Sequence, residues 1–230
     1  MKNQTLKLYG LSAEQINQEL KNLGLDESVI KTYVKEKYLD AFLYLEAKKD
    51  EDSFVKELSR IASAFSKYIY ADRDISLYEK LHEVLEIRGK TLAIMEQATG
   101  GILTSNLLAF DGAEKIVKAS YVMPSIKTMI DHFDLNPFKF TTNHGVCGEI
   151  AFDIASHIRA RIPADLYIVC ISTLAEGNNL YYNSNDAVGY VAIGTESGVK
   201  IFRIESSAKK RDFMNQIAKT ICFKLINLLK

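Results

Sequence analysis

LAIMEQATGGILT, residues Leu92 to Thr104, is the stretch on which the fold of this chain turns. Thr91 to Met95 is an apolar run short enough to be a buried strand. Glu96 to Thr99 is a turn, and Gly100 with Gly101 opens an apolar helix that the pattern carries through Phe110. A strand that enters a helix through paired glycines presents several backbone N–H groups at the positive end of the helix dipole. Such a junction holds a phosphate or carboxylate, and glycine lets a ligand approach the backbone closely. A plain tight turn fits the same letters, because a glycine pair is a short signal.

Bulk properties narrow the function classes. The 230 residues suit one large or two small domains, and 47% hydrophobic content is enough for a real core. Lys plus Arg and Asp plus Glu are 29 each, so no long-range field draws the chain to nucleic acid or membrane. The apolar runs Leu166 to Ile171 and Ala187 to Ile193 are far below the roughly 18 residues of a membrane span, and the N-terminus has no signal-peptide core. A soluble cytoplasmic protein is expected. Cys147, Cys170 and Cys222 are odd in number and far apart, which fits a reducing compartment. His144 and Cys147 form one H-x-x-C pair with no second pair to complete a tetrahedral site, so neither a metal nor a cofactor is expected.

Outward from the central stretch, Thr5 to Tyr9 reads as a strand. Ser12, Gln15 and the pair Leu11 and Ile16 give a capping box with a hydrophobic staple, and Gly24 stops the helix. Leu39 to Ala47 alternates as a strand. Phe54, Val55, Leu58, Ile61, Ala62, Phe65 and Ile69 then recur at helical spacing after the turn signal Asp50 to Ser53. The result is a small α+β module to about residue 73, with Asp72 to Asp74 as linker. A second capping box, Ser76 and Glu79, starts the next domain, and no Pro/Gly/Ser-rich tether separates the two. Lys118 to Met123 reads as a strand, with Pro124 at the first position of a helix. Leu166 to Ile171 reads as a central strand, Val188 to Ile193 and Val199 to Ile204 as a hairpin, and Asp212 to Leu229 as a helix with Phe213, Ile217, Ile221, Leu225 and Leu228 inward.

The central stretch resembles the A-E-S-C-T-G-G segment of the CinA C-terminal family, whose active members are nicotinamide-nucleotide amidases. Glu96, Thr99, Gly100 and Gly101 match it, whereas Gln97 stands at the serine regarded as the nucleophile and Ala98 at the cysteine. An amide cannot attack a carbonyl as a hydroxyl does. The family's Y-S-N-x-x-K segment keeps its lysine as Lys127, but Val122, Met123 and Pro124 replace the tyrosine, serine and asparagine, and Tyr121 is one residue out of place. His144 to Glu149 resembles the H-G-A-V-S-E turn. Gly148 stands at the capping serine and Cys147 at an apolar position, where a small buried residue is expected. After Ile171 the glycine-rich loop is rewritten as Ser172, Thr173, Leu174, Ala175, Glu176 and Gly177, Val188 and Gly189 survive, and Asp186 with Ala187 replaces a lysine-proline pair. Lys210, Arg211 and Asp212 resemble a G-D-R turn.

Residues 1 to 73 resemble the KH-like middle domain of full-length CinA proteins, on T-L-K-L-Y-G and K-Y-I-Y-A-D-R-D-I-S-L. They carry no G-x-x-G gripping loop, so packing or dimerisation is expected of them in preference to nucleic-acid binding. The resemblance implies a small N-terminal α+β (KH-like) module followed by a larger α/β domain over 74 to 230, and a homodimer. The family's N-terminal molybdopterin-binding-like domain, with its pyrophosphatase activity, is expected to be absent. The site implied gathers Glu96, Gln97, Thr99, Gly100, Gly101, Lys127, Ser172, Thr173, Gly189 and Arg211 around a small anionic or nucleotide-like ligand, with no catalytic residue. The alternative is a nicotinamide-nucleotide amidase or related hydrolase with another nucleophile, in which Thr99 is the nearest hydroxyl and Lys127 the nearest base.

Overall fold

The computed structural model describes residues 2–142, 146–173 and 187–230. The chain forms two compact units, Met1–Lys80 and Leu81–Lys230, with the division inside helix α3 (Leu77–Arg88).

The first unit runs β1 (Asn3–Tyr9), α1 (Ala13–Asn22), β2 (Ile30–Lys37), β3 (Asp40–Ala47), α2 (Glu51–Ala64), β4 (Ile69–Ala71). The strands pair in the order β2-β3-β1-β4, each antiparallel to its neighbour. This is the split βαβ arrangement of the β-α-β-β-α-β motif. Alternation along the strands turns Leu6, Leu8, Ala41, Leu43 and Leu45 to one face, where they bury against Ile16 and Leu20 of α1 and Phe54 and Ile61 of α2. The capping box of α1 closes as expected: the Gln15 amide donates to Ser12 Oγ at 3.2 Å, and the Ser12 amide donates to Gln15 Oε1 at 2.9 Å. Asp50 caps α2 in the same way, accepting from the Ser53 amide at 2.9 Å.

Two expectations change here. Helix α2 ends at Ala64 with Phe65 as its cap, so Ile69 belongs to strand β4. Strand β2 was not expected, because its alternation of Ile30, Thr32 and Val34 with Lys31, Tyr33 and Lys35 is weak in apolar residues, as suits an edge strand. Its hairpin turn also carries no glycine or asparagine: Tyr38 and Leu39 adopt φ of 59° and 61°.

The second unit continues β5 (Leu92–Glu96), α4 (Ile102–Leu107), α5 (Ala113–Ile116), β6 (Val117–Val122), α6 (Ile126–Phe133), α7 (Pro137–Thr142), α8 (Gly148–Arg161), β7 (Leu166–Ser172), β8 (Ala187–Thr195), β9 (Gly198–Ser206), α9 (Lys210–Leu229). Its strands order as β6-β5-β7-β8-β9, with β5 parallel to both neighbours and β7 to β9 antiparallel. Both continuous apolar runs are interior strands, and every residue of β5 and β7 is buried, because helices cover both faces. On one face Ala93, Met95, Tyr167, Val169 and Ile171 pack with Phe133 of α6, Phe140 of α7 and Ile150, Ile154 and Ile158 of α8. On the other lies α9: a Cβ built on Gly189 of β8 would sit 2.9 Å from Ile217 and 3.3 Å from Phe213.

Local boundaries also shift. Helix α4 stops at Leu107, short of Phe110. Pro124 precedes the cap, which is Ser125, with its Oγ accepting from the Thr128 amide at 3.5 Å. Cys147 is the N-cap of α8 and Gly148 its first residue; Cys147 is half-buried rather than buried. Leu228 is 38% exposed, and Arg211 lies in the first turn of α9 instead of in the turn before it.

Candidate functional site

Glu96 is the last residue of β5, and its side chain has no exposure at all. A carboxylate at the end of an apolar strand must find partners, since a charge buried alone is very costly. Here it finds them on the helix it leads into. Oε2 accepts from the Leu103 amide at 3.0 Å and from the Thr99 hydroxyl at 2.5 Å. Oε1 accepts from the Thr104 amide at 2.8 Å and from the Thr104 hydroxyl, which in turn contacts Ser120 Oγ of β6 at 2.6 Å. Two N–H groups in the first turn of α4 therefore already hold an anion, and that anion is the protein's own.

Gln97, 4% exposed, is fixed in another way. Its Nε2 donates to the Ser172 carbonyl at 3.2 Å and its Oε1 accepts from the Ser172 amide at 2.6 Å, while its own amide donates to the Cys170 carbonyl at 2.9 Å. The side-chain amide acts as one more peptide unit of the β5–β7 ladder beyond the point where β5 leaves it. Ser172 is 2% exposed, so this strap is internal.

Thr99 has no exposure. Its hydroxyl is donated to Glu96, and the Cys170 sulfur lies 3.1 Å away. Burial pushes the Cys170 thiol up to about 12, the Glu96 charge adds to this, and the Thr99 hydrogen bond offsets part of it. Such a thiol is neither ionised nor reachable at neutral pH. Gly100 and Gly101 turn the chain with φ of 58° and 92°, and their amides make no hydrogen bond to a described residue. A Cβ on Gly100 would lie 2.9 Å from the Met214 methyl of α9.

The remaining expected residues lie on several other elements. Thr173 bridges to β8, its Oγ1 accepting from the Val188 amide at 3.3 Å. Gly189 is buried and serves the close approach of α9. Lys127 is exposed at the start of α6 and Arg211 exposed at the start of α9. Tyr121, the misplaced tyrosine, packs on the core edge with its ring 5.9 Å from Phe133 and 5.2 Å from His132. His144, Gly145 and the loop Leu174 to Asp186 lie outside the described residues. Thr104, Ser120 and Cys170 were missed from sequence. The available signal was Glu96 itself, a carboxylate ending a run of buried apolar residues. No group of three metal-ligating side chains forms among the described residues, and no helix there is long and apolar enough to cross a membrane.

A family model described as the CinA C-terminal domain matches residues 74–229. A CinA-like protein of Petrotoga mobilis is 27% identical over 172 residues, covering 73% of this chain and 40% of the relative. A CinA-like protein of Prochlorococcus marinus is 24% identical over 177 residues, covering 76% of this chain and 41% of the relative. The chain thus spans about two fifths of those relatives' length. In fold, it is similar to a competence or damage-inducible protein from Enterobacter asburiae, with a TM-score of 0.58 at 20% identity over 67% of this chain and 96% of that one.

Proposed function

The chain belongs to the CinA C-terminal domain family, and from that premise we propose that it is a non-catalytic member, in which the turn that would carry amidase chemistry has become a structural lock beside a remnant ligand pocket. The observation that carries this reading is the side chain of Gln97. At the position of the resembled serine it makes hydrogen bonds to both backbone groups of Ser172 and is 4% exposed. Acyl transfer needs a nucleophile, a base and oxyanion stabilisation in one geometry, and loss of the nucleophile commonly costs several orders of magnitude.

Thr99, the substitute nucleophile of the competing amidase reading, does not support it, and neither does the adjacent Cys170. The Thr99 hydroxyl is enclosed and donated to Glu96, and the Cys170 thiol is held protonated. We infer that the remnant pocket is formed by the pair of glycine amides, with Lys127 and Arg211 as exposed cations. Those groups suit a small anionic or nucleotide-like ligand, bound without turnover. A homodimeric assembly role is the second part of the proposal and rests on the family resemblance alone.

The test is incubation with nicotinamide mononucleotide, measuring ammonia release and binding by calorimetry in parallel. No ammonia above the uncatalysed rate is expected. Steady turnover on the order of 1 per second or more overturns the reading, and its loss in Thr99→Ala would identify the nucleophile.

A further inference from the structure

The helices of the first unit cover one face of its sheet. The other face carries an aromatic patch centred on Tyr44. In the register of β2, β3 and β1, Tyr44 stands between Tyr33 and Thr5, and Phe42 stands between Lys35 and Lys7. The rings of Phe42 and Tyr44 are parallel to within 3°, with centroids 6.2 Å apart, and Tyr33 lies 6.0 Å from Tyr44 across the strands. Tyr33 is 41% exposed, so part of its ring is open to solvent on edge strand β2. Hydrogen bonds hold the patch in place: Asn3 Nδ2 donates to the Tyr44 hydroxyl at 2.6 Å, and the Tyr33 hydroxyl donates to Glu46 at 3.2 Å.

Beside the rings runs a row of cations. Lys31, Lys35 and Lys37 occupy alternate positions of edge strand β2 on the same face and are exposed. Two acids share this face with the lysines. Asp40 accepts from the Tyr70 hydroxyl at 2.8 Å, and Glu46 accepts from Tyr33. Lys7 and Asp74 offset each other as an ion pair at 3.5 Å. Lys31 stands opposite Glu46 and Lys37 opposite Asp40 in the register, so the face carries one positive charge in excess, from Lys35 opposite Phe42, although the chain as a whole is neutral.

We propose that this sheet face is a stacking platform for single-stranded nucleic acid, with bases on Phe42, Tyr44 and Tyr33 and phosphates along Lys31, Lys35 and Lys37. A four-stranded βαββαβ sheet whose β3 presents two aromatics at alternate positions is the geometry on which unstacked bases are read. Stacking tolerates any base, since each has a π-face, and a lysine row tracks the backbone. Lys31 sits with its ammonium 4.6 Å from the Tyr33 ring centroid. That contact is weaker than a base stack, so an arriving base displaces the ammonium toward the phosphates. Charge neutrality of the whole chain pointed away from nucleic acid, whereas a stacking platform needs only one local face. A duplex, whose bases are already stacked, cannot use the rings.

The test is fluorescence anisotropy of the full chain with short fluorescein-labelled oligo(dT), oligo(U) and a duplex of the same length, at two salt concentrations. Binding of either single strand, weaker for the duplex and weakened by salt, is expected. Tyr33→Ala should lower affinity about tenfold. The pair Lys31→Gln with Lys35→Gln should lower both affinity and the salt dependence. Both variants alter surface side chains, and an unchanged circular dichroism spectrum shows that each has folded. Absence of binding overturns the proposal, as does equal affinity for the duplex or affinity unchanged in both variants. Concentration-dependent self-association abolished by Tyr33→Ala, without binding of either single strand, also overturns it and marks the face as a contact between copies.

Discussion

At the residue scale, Glu96 and Gln97 divide the work of holding the turn. Glu96 gives the first turn of α4 its anion, and Gln97 ties the turn to β7. Glu96→Ala removes the acceptor of two buried backbone amides, Leu103 and Thr104, and of the Thr99 and Thr104 hydroxyls, which keep only Cys170 Sγ and Ser120 Oγ. We expect a loss of at least ~3 kcal/mol in urea unfolding, since each unsatisfied buried group costs about 1–3 kcal/mol. Gln97→Ser restores a hydroxyl where the family has its serine, yet removes both strap bonds. The expected outcome is about 1–3 kcal/mol of destabilisation with no gain in ammonia release from nicotinamide mononucleotide. Cys170 supplies a pH signature. An unfolded thiol releases its proton near 9.0, whereas the folded one holds it to about 12. The stability from this group is therefore complete below pH 9 and is lost as pH rises toward 12. Urea midpoints should fall less steeply above pH 9 in Cys170→Val than in the unaltered chain.

At the element scale, the β2–β3 hairpin and the packing of α9 on β8 are the informative cases. Tyr38 and Leu39 both occupy the left-handed region, where a residue with a Cβ is strained by about 1–2 kcal/mol. Replacing the pair by Asn-Gly, which suits that turn, should raise the urea midpoint, corresponding to about 1–2 kcal/mol. Gly189 presents the opposite problem. Its backbone is not in the left-handed region, but a methyl there meets Ile217 and Phe213. Gly189→Ala should cost about 1–3 kcal/mol through overpacking of α9, read as a lowered thermal midpoint.

At the scale of the whole molecule, each unit has a core of its own. Leu8, Ile16, Leu43, Leu45, Phe54 and Ile61 are fully buried within Met1–Lys80. Residues 1–80 expressed alone should fold, with a helix and strand spectrum by circular dichroism and a cooperative urea transition of about 3–5 kcal/mol. A non-cooperative melt would show that this core is insufficient by itself. The sheet face proposed to stack bases belongs to this unit, so binding of oligo(U) or oligo(dT) and the ammonia assay probe separate parts of the molecule.

The sequence by itself determined the elements whose signals are local. The capping box at Ser12 and Gln15, the two continuous apolar strands and the amphipathic stripe of α9 were all legible, because each depends on residues within a turn or two of one another. The match of Glu96, Thr99, Gly100 and Gly101 to a known motif was legible for the same reason. Strand β2 was not, since an edge strand buries few residues and its turn uses Tyr38 and Leu39, held there by pairing with β3. The role of Glu96 was decided only by tertiary structure. From the letters it was a candidate ligand contact, but its carboxylate faces Leu103, Thr104 and Thr99 because strand and helix meet at one angle in the folded core. Likewise Gln97 was read as a missing nucleophile, while its positive function, bonding Ser172 seventy-five positions away, exists only once β5 and β7 lie side by side. A local pattern reports how one segment satisfies its own backbone. Which buried polar group answers another depends on distances that only the packed chain sets.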